Sequence, residues 1–408
     1  MIQIRNMKQV EYSSSQQDIK FKNTRLIFNL IRDYMPISRI DLSRRCTLSV
    51  STVSNLVDDL LSKKWVVETQ TVKTSSRGRR SVLLEVNKDC GYVMTIELLS
   101  RGYICTIYNI CMQKIIGVRM RDLLYDAETI GATIQSLLES AKIATCMLIG
   151  IHLIFPGIVD PVSGDLISSS AFPETDILDK HLMIRLQRMF PDSHVMISTN
   201  GTIIAYEEFS AQRDYARLPL LSLNIDEAIF GGVVMSNPEN NMCFCFPVEI
   251  GHTILDYGGR HCKCGNYGCM ETLLATPVLF RSLEQKAGLK LEYSELFGAD
   301  CNVASMKLVA DRLLRGDPAV VSVLKEYSDI LCSSLISVVN FLNIQSIHIG
   351  GDIALLGNPF LQLLRKTYYD NACPLNDSYR TQIELFSSDY EQVRLAATNL
   401  CLDAIFRK

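Results

Sequence analysis

Three cysteines stand within one short segment, and this spacing constrains the fold of the chain more than any other feature of the sequence. They are Cys262, Cys264 and Cys269, and His252 and His261 lie on their N-terminal side. Three thiolates and one imidazole form a common tetrahedral zinc set that leaves no coordination position open for a water molecule. The alternative, three reduced surface thiols, offers no packing reason for so dense a group. The spacing therefore predicts one structural Zn2+ whose imidazole ligand comes from either histidine.

The other cysteines do not indicate a disulfide framework. The chain has 14 cysteines in 408 residues, and several stand in apolar segments, where cysteine behaves as a small hydrophobic residue. The longest strongly apolar stretch, 147–159, is shorter than the roughly 18 residues of a membrane helix. Residues 1–18 lack the apolar core and the cleavage site of a secretory signal. We expect a cytoplasmic protein without membrane insertion.

Charge is distributed unevenly along the chain. Residues 20–88 contain 14 Lys and Arg against 6 Asp and Glu, a local charge of +8, whereas the whole chain carries −3 and the remainder therefore −11. The length of 408 residues exceeds the roughly 100 to 200 that are typical of one domain. We expect a polar tail at 1–20, a cationic polyanion-binding domain at 21–86 and an acidic body at 87–408.

The cationic segment carries start and stop signals for two helices. Apolar residues at helical spacing predict a first helix at 23–34, and Pro36 ends it. Ser38 and Asp41 match a capping box, which predicts a short second helix that runs to Arg45.

A third helix follows a turn at 47–50, and Ser49 is its expected N-cap. Its apolar residues repeat at i, i+3, i+4, i+7 and i+8, so a polar face remains on the other side. Helix, short helix, turn and helix is the order of a helix-turn-helix domain, whose last helix enters the major groove of DNA. The polar face contains the side chains that we expect to contact base edges: Ser51, Thr52 and Asn55.

Two predicted strands at 65–68 and 82–86 enclose a hydrophilic stretch and form a hairpin, or wing, beside the helices. Basic side chains of the wing and of the end of the third helix are expected to bind DNA phosphates. They are Lys63, Lys64, Lys73, Arg77, Arg79 and Arg80. The alternative is three ordinary amphipathic helices with a solvated charged face. The order of capping box, polar face and basic wing favours a double-stranded DNA partner.

From about residue 87 the pattern changes to the strands and helices of a larger α/β body. A first series has strand-like runs at 92–96, 103–108, 115–119 and 147–153 and a helix at 129–144. A second series has strands at 220–224, 228–235 and 346–349 and helices at 303–315 and 319–342. Two such series predict a two-lobed body with space for a ligand between the lobes.

Two motifs in this body resemble the signature of the ROK family, which contains sugar kinases and sugar-responsive bacterial repressors. They are Glu-Ile-Gly-His at 249–252 and Cys-Lys-Cys-Gly-Asn-Tyr-Gly-Cys-Met-Glu at 262–271. The resemblance extends over almost the whole chain, including Phe-Pro-Gly-Ile-Val-Asp at 155–160, the Asn200 loop and Gly-Arg-Arg at 78–80. It implies a winged helix-turn-helix head, which only the repressor branch carries, followed by a two-lobed α/β body of actin-like, ribonuclease-H-type fold.

The resemblance also implies roles for particular residues. It places the imidazole ligand in Glu-x-Gly-His, so the zinc set becomes His252, Cys262, Cys264 and Cys269 in a loop at 249–271. The positions that contact sugar hydroxyls in the family are filled here by Gly157, Asn200, Glu249, His252 and Glu271. The alternative is that Glu249 and Glu271 only brace the zinc loop.

The kinase apparatus of the family is altered at three places. The Asn-Asp pair that supplies the catalytic base is Asn200-Gly201 here, and glycine accepts no proton. The first phosphate loop, Asp-x-Gly-Gly-Thr in the family, is Glu-Leu-Leu-Ser at 97–100. The second Gly-rich turn contains Asp226 and Glu227, which would repel a triphosphate. We therefore expect no enzymatic activity.

Together these features predict a repressor of genes for carbohydrate uptake or metabolism that binds a two-fold DNA operator as a homodimer or homotetramer. A sugar or sugar phosphate is the expected effector. One alternative is an ATP-dependent ROK sugar kinase with an accessory DNA-binding head. Another is a ligand-blind repressor under the control of a protein partner, and the sequence does not distinguish the effector from the partner.

Overall fold

A computed structural model describes residues 16–72, 81–99, 102–121, 125–160, 162–169, 179–212, 218–237, 242–294, 300–372, 381–386 and 390–406. Four of the predicted phosphate-binding residues, Lys73, Arg77, Arg79 and Arg80, lie outside these ranges. Among the described helices, none combines the length and the apolar character that crossing a bilayer requires.

Three helices and a small sheet form the N-terminal part of the chain. They are α1 (Gln16–Tyr34), β1 (Ile37–Ser38), α2 (Arg39–Arg45), α3 (Val50–Ser62), β2 (Val66–Val72) and β3 (Ser81–Val86). β3 pairs antiparallel with both β1 and β2. The elements follow the predicted order, although α1 begins before residue 23 because residues 16–22 contain no Pro or Gly to interrupt it.

Hydroxyl side chains define where α2 and α3 begin. Ser38 Oγ accepts a hydrogen bond from the N–H of Asp41 at 3.2 Å, and Ser49 Oγ accepts one from the N–H of Thr52 at 3.1 Å. Each bond satisfies a backbone donor that the first turn of a helix leaves without an intrahelical partner. Both predicted N-caps are therefore present.

A first five-stranded sheet follows. Its region contains β4 (Tyr92–Leu99), β5 (Gly102–Asn109), β6 (Lys114–Met120), α4 (Ala127–Ser140), β7 (Leu148–Phe155), β8 (Ile158–Val159), β9 (Leu166–Ser168), α5 (Leu182–Met189), β10 (His194–Thr199) and α6 (Asn200–Gln212). The strand order is β10-β7-β4-β5-β6, in which β4, β5 and β6 are antiparallel while β4, β7 and β10 are parallel. The short strands β8 and β9 pair separately.

The rest of the chain forms a second five-stranded sheet and its helices. In chain order these are β11 (Leu220–Ile225), β12 (Ile229–Asn237), β13 (Met242–Val248), α7 (Glu271–Leu274), α8 (Thr276–Ala287), α9 (Asp300–Leu314), α10 (Pro318–Leu342), β14 (Ser346–Gly350), α11 (Gly357–Asn371), β15 (Gln382–Leu385) and α12 (Tyr390–Phe406). The strand order is β13-β12-β11-β14-β15, with an antiparallel meander and two parallel strands as in the first sheet.

Helices α6 and α12 lie between the two sheets. They pack against each other, and α6 also contacts β11, β12 and β13 of the second sheet, while α12 contacts β4, β7 and β10 of the first. The body therefore has the two lobes that the sequence predicts, each a meander extended by parallel strands. Residues at the start of α6 stand where the lobes meet.

The N-terminal elements pack directly on the body. Ile27, Val53 and Leu84 share one apolar cluster with Val93 of β4 and Leu402 of α12. The predicted domain boundary at residue 86 falls between β3 and β4, and the apolar core extends across it.

Candidate functional sites

The predicted metal ligands converge in space. One ligand atom from each of His252, Cys262, Cys264 and Cys269 lies within 4.8 Å of the other three. His252 Nδ1 is 3.6 Å from Cys262 Sγ, and the Sγ atoms of Cys264 and Cys269 are 3.7 Å apart. In a tetrahedron with bonds of about 2.3 Å, two sulfur ligands stand about 3.8 Å apart. The cluster thus has the dimensions of a closed four-ligand zinc site.

Turns built on glycine bring the thiols of this loop together. Gly265 and Gly268 have φ angles of +93° and +70°, a region that side chains with a Cβ rarely adopt. A Cβ at Gly268 would also lie 1.6 Å from the carbonyl oxygen of Asp256. His261, the alternative ligand, instead packs edge-on against the ring of Tyr267. His252 is therefore the imidazole that the fold supplies to the three thiols.

Two acidic residues connect the metal loop to the second sheet. Glu271 is buried, and its Oε2 accepts a hydrogen bond from the N–H of Ile229, the first residue of β12, at 3.0 Å. Burial raises the pKa of Glu271 above its usual value. Glu227, in the turn before β12, pairs with Lys263 of the loop at 3.2 Å. Glu271 thus has the bracing contact that the sequence offered as the alternative to sugar binding.

The other predicted sugar-binding residues lie near the ends of strands. Gly157 follows β7 and Asn200 follows β10, and these two parallel strands are neighbours in the first sheet. A Cβ at Gly157 would lie 2.3 Å from the carbonyl oxygen of Ser168, so the glycine is needed for packing against β9. Glu249, the first residue of the metal loop, is exposed.

Asn200 has an unsatisfied buried atom. Its Oδ1 finds no hydrogen-bond partner among the described residues, although most buried polar atoms in proteins have one. The next residue, Gly201, contacts Gly231 of β12. Ile229, the first residue of the same strand, donates its N–H to Glu271. One strand, β12, therefore connects the Asn200 side of the predicted pocket to the metal-loop side.

Position 201, where the family resemblance places the kinase base, has no room for a side chain. A Cβ at Gly201 would lie 1.9 Å from the carbonyl oxygen of Gly231, and one at Gly232 would lie 2.0 Å from the carbonyl oxygen of Gly201. The start of α6 and β12 therefore approach each other backbone to backbone. The sequence shows that the carboxylate is missing, and the fold adds that an aspartate does not fit.

Glu97, at the predicted first phosphate position, is engaged by another side chain. Glu97 is buried on β4, and Arg394 of α12 donates a hydrogen bond from Nη1 to its Oε2 at 2.8 Å. Burial raises the pKa of Glu97, and the guanidinium of Arg394 opposes that rise. Glu97, which stands where the family has the phosphate-loop aspartate, is thus paired with Arg394, a partner that the sequence did not indicate.

At the predicted second phosphate position, two buried carboxyl groups lie close together. Asp226 is buried, and its Oδ1 accepts a hydrogen bond from the N–H of Asp352 at 2.5 Å, while Asn224 donates to its other oxygen. Burial and the nearby Asp352 carboxyl raise the pKa of Asp226 well above its usual value. Gly351, with φ +83°, lets the chain pass beside Asp226.

The polar face of α3 is accessible as predicted. Ser51 and Asn55 are exposed and Thr52 is partly buried. The hydroxyls of Ser51 and Thr52 are hydrogen-bonded to Ser49 Oγ at 2.9 and 2.8 Å, so both take part in the cap network. Asn55 has the longest of the three predicted side chains. Val50, the first residue of α3, is 53% exposed and was not among the predicted contacts.

The lysines after α3 have different environments. Lys63 pairs with Asp59 at 2.9 Å, one helical turn earlier. Lys64 takes a positive φ of 59° where the chain leaves the helix, and its carbonyl oxygen accepts a hydrogen bond from Asn87 Nδ2. Both are exposed, so their ammonium groups are accessible to an anion.

Comparison with known proteins relates the whole chain to bacterial repressors. It is 25% identical over 395 residues to the DNA-binding transcriptional repressor Mlc of Escherichia coli, which covers 95% of this chain and 94% of that protein. It is 27% identical over 357 residues to the xylose repressor of Caldicellulosiruptor bescii, with 85% and 87% covered.

A solved structure has the same fold. The crystal structure of a ROK family transcriptional regulator, a homologue of the Escherichia coli Mlc protein, matches with a TM-score of 0.71 and 20% identity, covering 95% of this chain and 97% of that one. The model of the ROK family itself matches residues 124–388, which include the second sheet, strands β7 and β10 of the first sheet, and the metal loop. The chain belongs to the ROK family.

Proposed function

We propose that this protein is a DNA-binding transcriptional regulator that represses genes for carbohydrate uptake or metabolism. The observation that carries the proposal is a capped helix, α3, with an accessible polar face, joined to a ROK body whose phosphate positions are filled by protein groups. Whole-chain similarity to proteins named as repressors supports the same conclusion.

In this proposal the N-terminal part is a winged helix-turn-helix head at residues 21–86, and residues 87–408 form the effector-binding and oligomerisation body. The head places α3 in the major groove, where the Asn55 amide can pair with an adenine edge. Lys63, Lys64 and the basic wing residues bind phosphates, which adds affinity without base preference. A homodimer or homotetramer presents two heads to a two-fold operator.

Kinase activity is not part of the proposal. Phosphoryl transfer depends on a positioned base and on groups that cradle the triphosphate. The base position at Gly201 faces a backbone carbonyl, and Glu97 and Asp226 stand at the two phosphate positions. Each change alone would remove much of the rate.

The effector proposal rests on the unpartnered Oδ1 of Asn200. A sugar hydroxyl at the lobe junction would satisfy this atom, with Glu249 and His252 as further contacts. His252 can serve both sites, because Nδ1 faces the thiols and the imidazole has a second nitrogen. The Glu271 contact with Ile229 favours the alternative, a repressor without a sugar ligand that a protein partner controls.

We also propose that the four-residue cluster holds one structural zinc ion. Three thiolates and one imidazole suit Zn2+, and a site with four protein ligands retains no position for a reacting water. The ion would fix the loop that carries Glu271 and Lys263, and through them the turn before β12.

Selection of DNA from the organism's own genome tests the proposed function. Fragmented genomic DNA is passed over the immobilised full-length protein, and the retained fragments are sequenced. We expect a few enriched sites with two-fold symmetry next to genes for carbohydrate transport or metabolism. The variant Asn55→Ala should reduce this enrichment and accept other bases at one position of the site, while Ser333→Ala, an exposed change on α10, should keep it. Retention of all fragments in equal proportion would contradict the proposal.

A further inference from the structure

The end of helix α12 packs against the N-terminal elements of the chain. Arg25 of α1 donates from Nε to the carbonyl oxygen of Phe406 and from Nη2 to that of Ile405, both at 2.8 Å. Asn29 Nδ2 donates to the Phe406 carbonyl oxygen at 2.9 Å. The last carbonyl groups of a helix have no intrahelical donors and carry partial negative charge, so a guanidinium is a suitable partner. Helix α1 therefore caps α12.

Aromatic packing fixes this contact further. The ring of Phe406 packs against both Phe28 of α1 and Trp65, which precedes β2, with centroids 4.7 and 5.5 Å away. Phe28 and Trp65 meet edge to face at 5.5 Å. Aromatic groups in these arrangements pack with defined geometry. The contact between α12 and the N-terminal elements is thus specific in its orientation.

A single carboxylate joins three helices at this place. Asp403 of α12 accepts a hydrogen bond on Oδ1 from Arg32 Nη2 of α1 at 2.5 Å, and one on Oδ2 from the hydroxyl of Tyr206 of α6 at 2.8 Å. The side chains of Arg32 and Asp403 are only 9% and 17% exposed. In such surroundings the loss of one partner strongly perturbs the other.

Helix α6 leads from this carboxylate to the lobe junction. It begins at Asn200, whose side chain has the unsatisfied Oδ1, and Tyr206 follows six residues later. At 1.5 Å per residue the two positions are about 9 Å apart along a rigid helix. The backbone of Gly201 touches that of β12 in the second lobe. Any shift at the start of α6 therefore changes its position relative to that lobe.

We propose that Asp403 is the positioning residue that couples the lobe junction to the DNA-binding head. The inference rests on the proposed function and adds the route by which the site at Asn200 regulates it. In the DNA-competent state Asp403 binds both Arg32 and Tyr206, and α1 stays seated on α12. A ligand that hydrogen-bonds to Asn200 displaces the start of α6, and the Tyr206 hydroxyl then moves away from Asp403. This change weakens the contact between α1 of the head and α12.

Coupling between two sites is reciprocal, so the route can be tested from the DNA side without knowing the effector. The probe is a duplex recovered in the genomic selection, bound to the full-length protein. Hydrogen exchange of the α6 amides is measured by mass spectrometry in the free and the DNA-saturated protein. We expect DNA to slow this exchange by roughly fivefold or more in the wild type.

Substitution of one hydroxyl provides the specific comparison. Tyr206→Phe keeps the ring and should abolish the slowing in α6, and Asp403→Asn should do the same. Tyr369→Phe removes a hydroxyl that bonds the carbonyl oxygen of Thr381 on the second lobe, so it should retain the full effect. Exchange in α10, measured in the same samples, reports any general loss of stability.

The outcomes separate this inference from the proposed function. If the duplex binds and α6 exchange does not change in the wild type, or slows equally in Tyr206→Phe, the coupling role of Asp403 is wrong while DNA binding stands. If the selection recovers no duplex and none binds, the proposed function fails and the coupling fails with it.

Discussion

At the scale of single residues, glycines and buried carboxyl groups occupy the positions where the family resemblance predicts the groups of a sugar kinase. Gly201 stands where the backbones of α6 and β12 meet, and Asp226 and Glu97 are engaged by Asp352 and Arg394. The sequence indicates that kinase groups are missing. It does not show what replaces them, because Arg394 is 297 positions from its partner Glu97.

Replacement of Gly201 should damage the fold rather than restore catalysis. Gly201→Ala should lower the free energy of unfolding by about 3 kcal/mol, since the new Cβ collides with a backbone carbonyl that cannot rotate away. Gly201→Asp should be at least as unstable and should not phosphorylate hexoses with ATP. The control is Gly117→Ala on the exposed strand β6, where the nearest atom is a side-chain oxygen at 3.1 Å. Urea unfolding gives both stabilities, and a fully stable Gly201→Ala protein would refute the close approach.

The metal cluster makes a second prediction at this scale. Cys264→Ser should purify without zinc and with a destabilised loop, because metal binding and folding of such a site are coupled. Cys146→Ser, an exposed cysteine elsewhere, should keep one zinc per chain. Elemental analysis of protein prepared without chelator measures both. If His252→Ala retains zinc, His252 is not the imidazole ligand and His261 takes that role.

At the scale of helices and strands, local signals predicted the N-terminal elements well. Ser38 and Ser49 cap α2 and α3 as expected, because a cap depends on residues only three apart. The metal ligands also lie within one short segment. Helices α6 and α12 were not predicted, since both are buried on several faces between the sheets and lack a clear polar side. The contacts that place Asn200 and Asp403 therefore required the tertiary structure.

A buried histidine on β7 should make stability depend on pH. His152 is fully buried beside α12, with Nδ1 2.6 Å from the carbonyl oxygen of Ala397, and burial lowers its pKa to about 4. The folded protein keeps this ring neutral, whereas the unfolded chain takes up a proton below about pH 6.5. The free energy of unfolding should therefore fall by about 3 kcal/mol between pH 6.5 and pH 4 and level off below that.

The variant His152→Asn isolates this contribution. An amide can still donate to the Ala397 carbonyl but does not titrate, so the difference from wild type should change with pH in the same window. Urea unfolding at several pH values between 7 and 4 measures it. Parallel pH profiles for the two proteins would show that His152 does not titrate as proposed.

Helix α3 and the wing should affect DNA binding differently. Asn55→Ala should relax preference at one base pair by about 1 to 3 kcal/mol, because it removes the amide that we propose to contact a base edge. Reversal of Arg79 and Arg80 to Glu should weaken binding to all sequences and reduce its salt dependence. Competition binding with single-base operator variants distinguishes the two effects. If Asn55→Ala loses the same amount of affinity for every operator variant, Asn55 does not contact a base.

At the scale of the whole molecule, two lobes with similar strand arrangements carry a cationic N-terminal part. The local charge of +8 in residues 20–88 contrasts with the acidic remainder of the chain. Such an asymmetry would favour approach of a polyanion to residues 20–88 over approach to the remainder of the chain. Helix α12 is hydrogen-bonded to α1 at its C-terminal end and to α6 along its side. It therefore connects the N-terminal elements to the lobes.

The most direct test of the central claim is the affinity of the full-length protein for a selected operator and for a scrambled duplex, measured by fluorescence anisotropy over a range of salt concentrations. We expect the operator to bind at least about 10³-fold more tightly than the scrambled sequence at physiological salt. Affinity for both should fall steeply as salt rises, because bound phosphates release counterions. Equal affinity for the two duplexes, or no binding of either at low salt, would contradict the assignment as a DNA-binding regulator.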